Sequence, residues 1–284
     1  MTMVQSIEAE QGWQAQLDLR FTRVNNRTCS KTILQHSYHM GPLRVQRPFY
    51  PEGELAHIYI LHPPGGVVGG DQLNINVEVS SGAQVLATTP GSGKFYLSKS
   101  HWAELEQRLT VEAGASLEWL PQENILFAGA RLCTRTTIEV EDDGTFIGWD
   151  VTCLGRPSRG ERFDHGAFYS RLAFYHKQTL LLVENQRVFD EQTLEAAAGL
   201  RNHALLATLL AFPCSEENLE RVRAHLNVQA TSVLIAVTRI DGLLVLRALG
   251  NNSEVLKQQL ISVWLVLRPL LLDRPALQPR IWAT

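Results

Sequence analysis

Ile75-Asn76-Val77-Glu78-Val79, then Ser80-Ser81-Gly82, then Ala83-Gln84-Val85-Leu86-Ala87 is a strand-turn-strand unit, and its recurrence decides the reading of this chain. Leu73, Ile75, Val77 and Val79 alternate with polar residues, the period-2 pattern of a strand with one buried face. The unit returns as Leu109-Thr110-Val111, Glu112-Ala113-Gly114, Ala115-Ser116-Leu117-Glu118-Trp119. It returns again as Ile138-Glu139-Val140, Glu141-Asp142-Asp143-Gly144, Thr145-Phe146-Ile147-Gly148-Trp149. The turn glycines Gly82, Gly114 and Gly144 stand 32 and 30 residues apart, and glycine takes the positive φ that tight turns require. Aligned on them, Ala83/Val85/Ala87, Ala115/Leu117/Trp119 and Thr145/Ile147/Trp149 share one inward face. A fixed period of this kind predicts a mainly β fold of two-layered, solenoid-like stacked strands; adjacent hairpins of a sandwich are the alternative.

Upstream, Gly65-Gly66-Val67-Val68-Gly69-Gly70-Asp71 follows the strand-like run His57–His62. A phosphate cradle needs a helix N-terminus next, and a strand follows instead, so this cluster joins strand to strand. Pro90-Gly91-Ser92-Gly93-Lys94 fails the P-loop pattern twice, with Thr88 in place of the first glycine and Phe95 after the lysine. It reads as a turn.

The C-terminal third changes character. Asp190 is placed to cap a helix carrying Leu194, Leu200, Leu205, Leu206 and Leu209, stopped by Pro213. Ser215 caps a second helix, with Glu216 and Glu217 in its first turn and Arg221, Arg223 and His225 toward its end. Val233–Ile240 and Leu243–Leu249 flank Asp241-Gly242, a hairpin signal. Ser253 opens a last helix that ends before Pro269. A few helices therefore close a β structure read as one domain over residues 1–284, with loose termini at 1–12 and 273–284.

A net charge of −3 gives no electrostatic footprint for nucleic acid. Charged residues make up 19%, below the roughly 25% usual in soluble domains, and hydrophobic residues 45%. That balance points to either a large ordinary β core or apolar surface meant for a partner. The apolar stretch 260–272 is interrupted by Arg268 and Pro269 and is too short to span a bilayer. Cys29, Cys133, Cys153 and Cys214 show no metal-ligand spacing and read as reduced thiols of a cytoplasmic protein. His36 and His39 form H-x-x-H without a third ligand.

Three carboxylates stand out. Asp71 follows the glycine cluster, Asp150 lies between Trp149 and Val151, and Glu184 follows Leu180-Leu181-Leu182-Val183. In such surroundings a carboxylate must be paired, hydrogen-bonded or near a cation. Salt bridges to Arg131, Arg156, Arg159, Arg171 or Arg187 are one outcome. Residues 154–164, dense in charge, Gly and Pro, read as an exposed loop, which makes Arg156, Arg159, Glu161 and Arg162 candidates for partner binding.

Four stretches together resemble the urease accessory protein UreD (UreH) family: LHPPGGVVGGDQL (61–73), TTPGSGKFYLS (88–98), LPQENILFAGA (120–130) and GWDVTCLGRPSRGERFDHG (148–166). They occur in the family's order, and the likeness covers roughly residues 12–272. Leu97 departs from it, standing where many members carry arginine. The resemblance implies a non-catalytic cytoplasmic scaffold and chaperone with no tightly bound cofactor. Its implied partners are the urease structural subunits, the adaptor UreF and, through UreF, the GTPase UreG, with neither nucleic acid nor membrane. It further implies nickel in transit toward the urease active site, which makes Asp71, Glu184 and Asp150 candidate transient metal ligands. Nickel accepts carboxylate oxygen, and transit needs weak, exchangeable ligands. The competing enzyme reading is a β-solenoid cleaving carbohydrate with Asp142, Asp143 or Glu161 as acid and base.

Overall fold

The computed structural model describes residues 12–26, 29–228 and 231–283. The chain opens with β1 (Gln14–Asn26), β2 (Cys29–Met40), β3 (Arg44–Val45) and β4 (Ala56–Leu61). The repeats supply β5 (Gln72–Val79), β6 (Gln84–Thr88), β7 (Gly93–Phe95), β8 (Ala103–Val111), β9 (Ser116–Leu120), β10 (Asn124–Leu126), β11 (Arg131–Val140) and β12 (Thr145–Leu154). After them come β13 (Ala167–His176), β14 (Thr179–Val188), α1 (Glu191–Glu195), β15 (Leu205–Phe212), α2 (Glu216–Asn227), β16 (Leu234–Ile240), β17 (Leu243–Gly250) and α3 (Ser253–Leu272).

Each repeat crosses between two sheets. The first strand of each unit joins sheet one, in the order β14-β13-β11-β8-β5-β1-β2, and the second joins sheet two, β16-β17-β15-β12-β9-β6-β4-β3. Neighbouring rungs pair in parallel: β5 with β8 and β8 with β11 in sheet one, β6 with β9 and β9 with β12 in sheet two. The solenoid-like expectation therefore holds, with antiparallel hairpins such as β1–β2 and β13–β14 at the flanks.

Two cores result. Side chains from both sheets, among them Leu17, Val77, Val85, Leu109, Leu117 and Phe146, fill the space between them. A second core, including Leu86, Ile147, Leu209, Leu246 and Trp264, lies between the far face of sheet two and the helices. Sheet two is thus covered on both faces, and β9 is buried at all its positions, as central strands of parallel sheets are.

The third repeat is one residue out of the expected register. Gly82 and Gly114 take positive φ (71° and 64°), but in the third turn it is Asp143 (φ 56°), so Gly144 occupies the place of Ala83 and Ala115. Thr145 pairs with Ser116 and Phe146 with Leu117. A one-residue slip moves a strand's side chains to the opposite face. Phe146 accordingly points between the sheets, whereas Ile147 and Trp149 lie under the helices.

The C-terminal third departs from expectation in three places. Asp190 does cap α1, accepting from the Thr193 N–H, but that helix has five residues, and Leu205–Phe212 is a central strand rather than its continuation. β-Propensity and pairing on both sides, with β12 and β17, outweigh the leucine spacing. α3 runs through Pro269 to Leu272 with Asn252 as its cap. Twenty residues at mean hydropathy 1.4 would suffice by length and composition to cross a membrane, but its inner face packs on sheet two. Third, the segment after Asp273, expected to be loose, is docked: Trp282 packs tilted against Trp149 and edge-on against Trp264, and its indole N–H donates to Thr88 Oγ1 at 3.0 Å. The Ser215 cap and the Asp241-Gly242 hairpin stand as read. Residues 1–11 and the Cys29 side chain lie outside the described residues. Cys133, Cys153 and Cys214 are free and buried, and burial pushes the Cys153 thiol up to about 12.

Arg268 is fully buried in α3. It donates to both carboxylate oxygens of Glu52 at 2.7 and 2.8 Å and through Nε to Glu118 at 3.0 Å. Trp264 donates to Glu118 at 2.7 Å, and His57 pairs with Glu52 at 2.8 Å. Burial of ions without such pairing costs several kcal/mol each. This cluster ties the last helix to both early and middle coils.

Candidate functional site

A cavity of about 490 Å³ lies between the sheets. At one end it is bounded by the two glycine-bearing loops, at residues 62–66 and 89–94, where Pro63, Gly91 and Lys94 are exposed. Its walls are mostly apolar, with Ile75, Leu105 and Leu210 from the strands, and it reaches inward to Asp150. Gln107 and Thr136, both buried, interrupt the wall and bond each other at 3.3 Å.

Alternation places the polar groups. On β12 the inward row is Phe146, Gly148, Asp150, Thr152, Leu154; on β14 it is Leu182, Glu184, Gln186, Val188. Asp150 pairs in register with Thr208 of β15, which pairs with Arg247 of β17, so these three form one row across sheet two. Glu184 faces that row from sheet one. Its Oε1 accepts from Gln186 at 2.9 Å, Arg247 Nε at 3.1 Å and Thr208 at 3.2 Å. Its Oε2 is buried without a partner among the described residues. Asp150 and Glu184 share a second, water-sized cavity of about 20 Å³ with Thr152, Ser170, Gln186 and Thr208. Burial, then the Glu184 charge, pushes the Asp150 carboxyl up to about 6.

Of the three carboxylates expected together, the fold joins two. Asp71 is buried elsewhere: its oxygens accept from the backbone N–H groups of Trp13 at 2.8 Å and Val68 at 2.9 Å. It closes the glycine loop and is not part of the cavity wall. None of the five arginines anticipated as salt-bridge partners pairs with these carboxylates; Arg247 does, with Glu184. The loop also shows why its glycines are needed, since a Cβ on Gly69 would stand 2.5 Å from the His101 carbonyl oxygen.

Sequence reasoning missed His62, Gln107, Thr136 and Arg247. His62 lines the cavity beside the loop, and burial holds its imidazole below the usual histidine range, against the pull of Asp71. Gln107 was visible in principle as the polar member of the inward row Ala103, Leu105, Gln107, Leu109, Val111.

In the 154–164 loop, Glu161 accepts from Arg156 Nε at 2.8 Å and from the Ala128 N–H at 3.1 Å, and Arg156 holds its carboxyl below the usual range. The Arg156 guanidinium also lies 4.5 Å over the Phe127 ring. These two residues brace the loop. Arg159 is exposed, and Arg162 reaches Glu195 at 3.2 Å across its surface. The exposed Val68, Tyr96 and Leu97 belong to the loop segments at this same end of the sheets. Glu161 of the carbohydrate-cleaving alternative is not brought together with Asp142 or Asp143. Asp142 and Asp143 precede β12 and Glu161 follows it, so a ten-residue strand, on the order of 30 Å, separates them. Paired glycosidase carboxyls stand about 5–9.5 Å apart. Among the described residues no group of three or more His, Cys, Asp or Glu side chains is placed to hold a metal.

The family model described as UreD urease accessory protein matches residues 14–283. A urease accessory protein UreD of Alcanivorax borkumensis is 46% identical over 96% of this chain and 93% of its own length. One from Pseudomonas putida strain GB-1 is 42% identical over the whole of both chains, and one from Citrobacter koseri is 42% identical over 96% of this chain and 92% of its own. With a family match across nearly all of its length and relatives of this similarity, the chain belongs to the UreD urease accessory protein family.

Proposed function

We propose that this protein is a cytoplasmic, non-catalytic scaffold and chaperone of urease maturation that passes nickel toward the urease active site. Its partners in this reading are the urease structural subunits and UreF, with UreG joining through UreF. The observation that carries the reading is the cavity between the sheets, apolar along most of its wall and reaching Asp150, which in turn lines a second, small cavity with Glu184. Two carboxylates with neighbouring hydroxyl and amide oxygens form a weak, exchangeable donor set for a borderline divalent ion. Nickel enters past His62, passes Gln107 and Thr136, and pauses at the carboxylate pair. Asp71 serves the route indirectly, by fixing the loop at the cavity's outer end. Arg159 and Arg162, on a loop braced by Arg156 and Glu161, belong to the partner-binding surface.

The test is paired. Asp150→Asn and Glu184→Gln keep side-chain shape, so pull-down of urease apoprotein and UreF should match wild type while nickel per urease active site falls several-fold. Normal nickel loading with intact complexes would remove the carboxylate pair from the route. Asp71→Ala should lower complex yield and nickel loading together, because it takes the acceptor from two part-buried backbone N–H groups that fix the loop.

A further inference from the structure

We propose that Arg247 is the displaceable counter-ion of the metal pause site, occupying Glu184 when no ion is present and setting how long an ion stays. The inference rests on the nickel-transit reading. The two main carboxylate–arginine clusters of this fold are built differently. Arg268 is sealed, with no exposure, and each nitrogen of its guanidinium is engaged by Glu52, Glu118 or the Pro275 carbonyl. Arg247 meets Glu184 through one hydrogen bond from Nε, and its side chain is 46% exposed while that of Glu184 is 9% exposed. An arginine so placed leaves for water at small cost, whereas the buried carboxylate cannot follow it.

The free coordination position lies on the same carboxylate. Glu184 Oε1 is saturated by Gln186, Thr208 and Arg247, and Oε2 is buried and, among the described residues, unpartnered in the group that lines the small cavity with Asp150. A divalent cation arriving at Oε2 and Asp150 meets the Arg247 charge a few ångströms away. The two cations repel, and the exposed one yields. In the empty state Arg247 offsets one of two neighbouring carboxylate charges in the row Asp150, Thr208, Arg247 opposite Glu184. In the loaded state its return speeds release. Arg247 is thus a positioning residue that keeps binding weak enough for transit.

The experiment uses the full chain and Ni²⁺ alone, with affinity from equilibrium dialysis and release rate from chelator capture. Arg247→Gln should bind Ni²⁺ about tenfold more tightly, with most of the change in slower release. Arg247→Lys, which keeps the charge, should stay near wild type, and adding Glu184→Gln to Arg247→Gln should abolish the gain. Equal affinity and release in Arg247→Gln and wild type, with Ni²⁺ binding still dependent on Glu184, would overturn the counter-ion role and leave the transit reading standing. Ni²⁺ binding indifferent to Asp150→Asn and Glu184→Gln would overturn both. If Arg247→Gln does not fold, Arg247→Lys decides: a shorter ammonium that loses the Nε bond should release Ni²⁺ at a rate within threefold of wild type. A tenfold slower release would show that the guanidinium's geometry and not its charge matters, contrary to the proposal.

Discussion

Asp150 stands on the inward row of β12 with Glu184 as the charge that faces it across the gap between the sheets, and its carboxyl is pushed up to about 6. A group whose folded pKa is raised favours the fold while protonated, and that contribution is lost as pH rises through about 6. Above that pH the ionised carboxylate opposes folding. Asp150→Asn, which mimics the protonated form, should therefore stabilise the metal-free protein at pH 8 by about 1–2 kcal/mol and change little near pH 3, below the ordinary carboxyl value of 3.8. Thermal melts in a chelating buffer at the two pH values measure this. Equal gains at both would assign the effect to packing. Asp150 and Glu184 were legible in the sequence because each is a lone carboxylate in an apolar run. Their arginine was not, because Arg247 sits in a row whose direction depends on strand pairing that composition cannot give.

At the scale of elements, the strand-turn-strand period was legible because turn glycines and alternation agreed in the first two repeats. The third repeat breaks the agreement by one residue: a four-residue turn puts Asp143, not Gly144, in the left-handed conformation. The glycine remained the visible marker, so Trp149 and Ile147 were read onto the wrong face. Asp143→Gly removes the cost of a side chain at positive φ and should stabilise the protein by about 0.5–1 kcal/mol in urea unfolding. Gly82→Val, at the equivalent position, should destabilise it by about 1–2 kcal/mol or more. A loss on Asp143→Gly would mean that the aspartate's own contacts outweigh its backbone strain. The helices were legible through their caps at Asp190 and Ser215, but the length of α1 was not, since leucines at helical spacing also suit a strand buried on both faces.

For the molecule as a whole, the Glu52–Arg268–Glu118 cluster governs response to acid. Burial would raise the Glu52 carboxyl, yet hydrogen bonds from His57 and Arg268 hold it at about 2. A depressed folded pKa contributes stability above the ordinary value of 4.5, and that contribution is lost as pH falls through about 2. Glu52→Gln should be less stable than wild type by about 2 kcal/mol at pH 7, with the gap narrowing toward pH 2. Denaturant midpoints across that range measure it, and a constant gap would exclude the ion pair as the cause. Nothing in sequence spacing joined these residues, because Arg268 first appeared only as an interruption of an apolar stretch.

The separation of that pair also sets an order in time. Glu52 precedes Arg268 by 216 residues, and a ribosome adding about 5–20 residues per second needs roughly 10–40 s to make that interval. Through that period the early coils can stack, but Glu52 and Glu118 wait without their cation, and Leu86, Leu120 and Ile147 wait without the helix that covers them. The nascent chain therefore carries a sticky, half-charged sheet until α3 has been made. The far face of sheet two is thus the part of the nascent chain that stays uncovered longest.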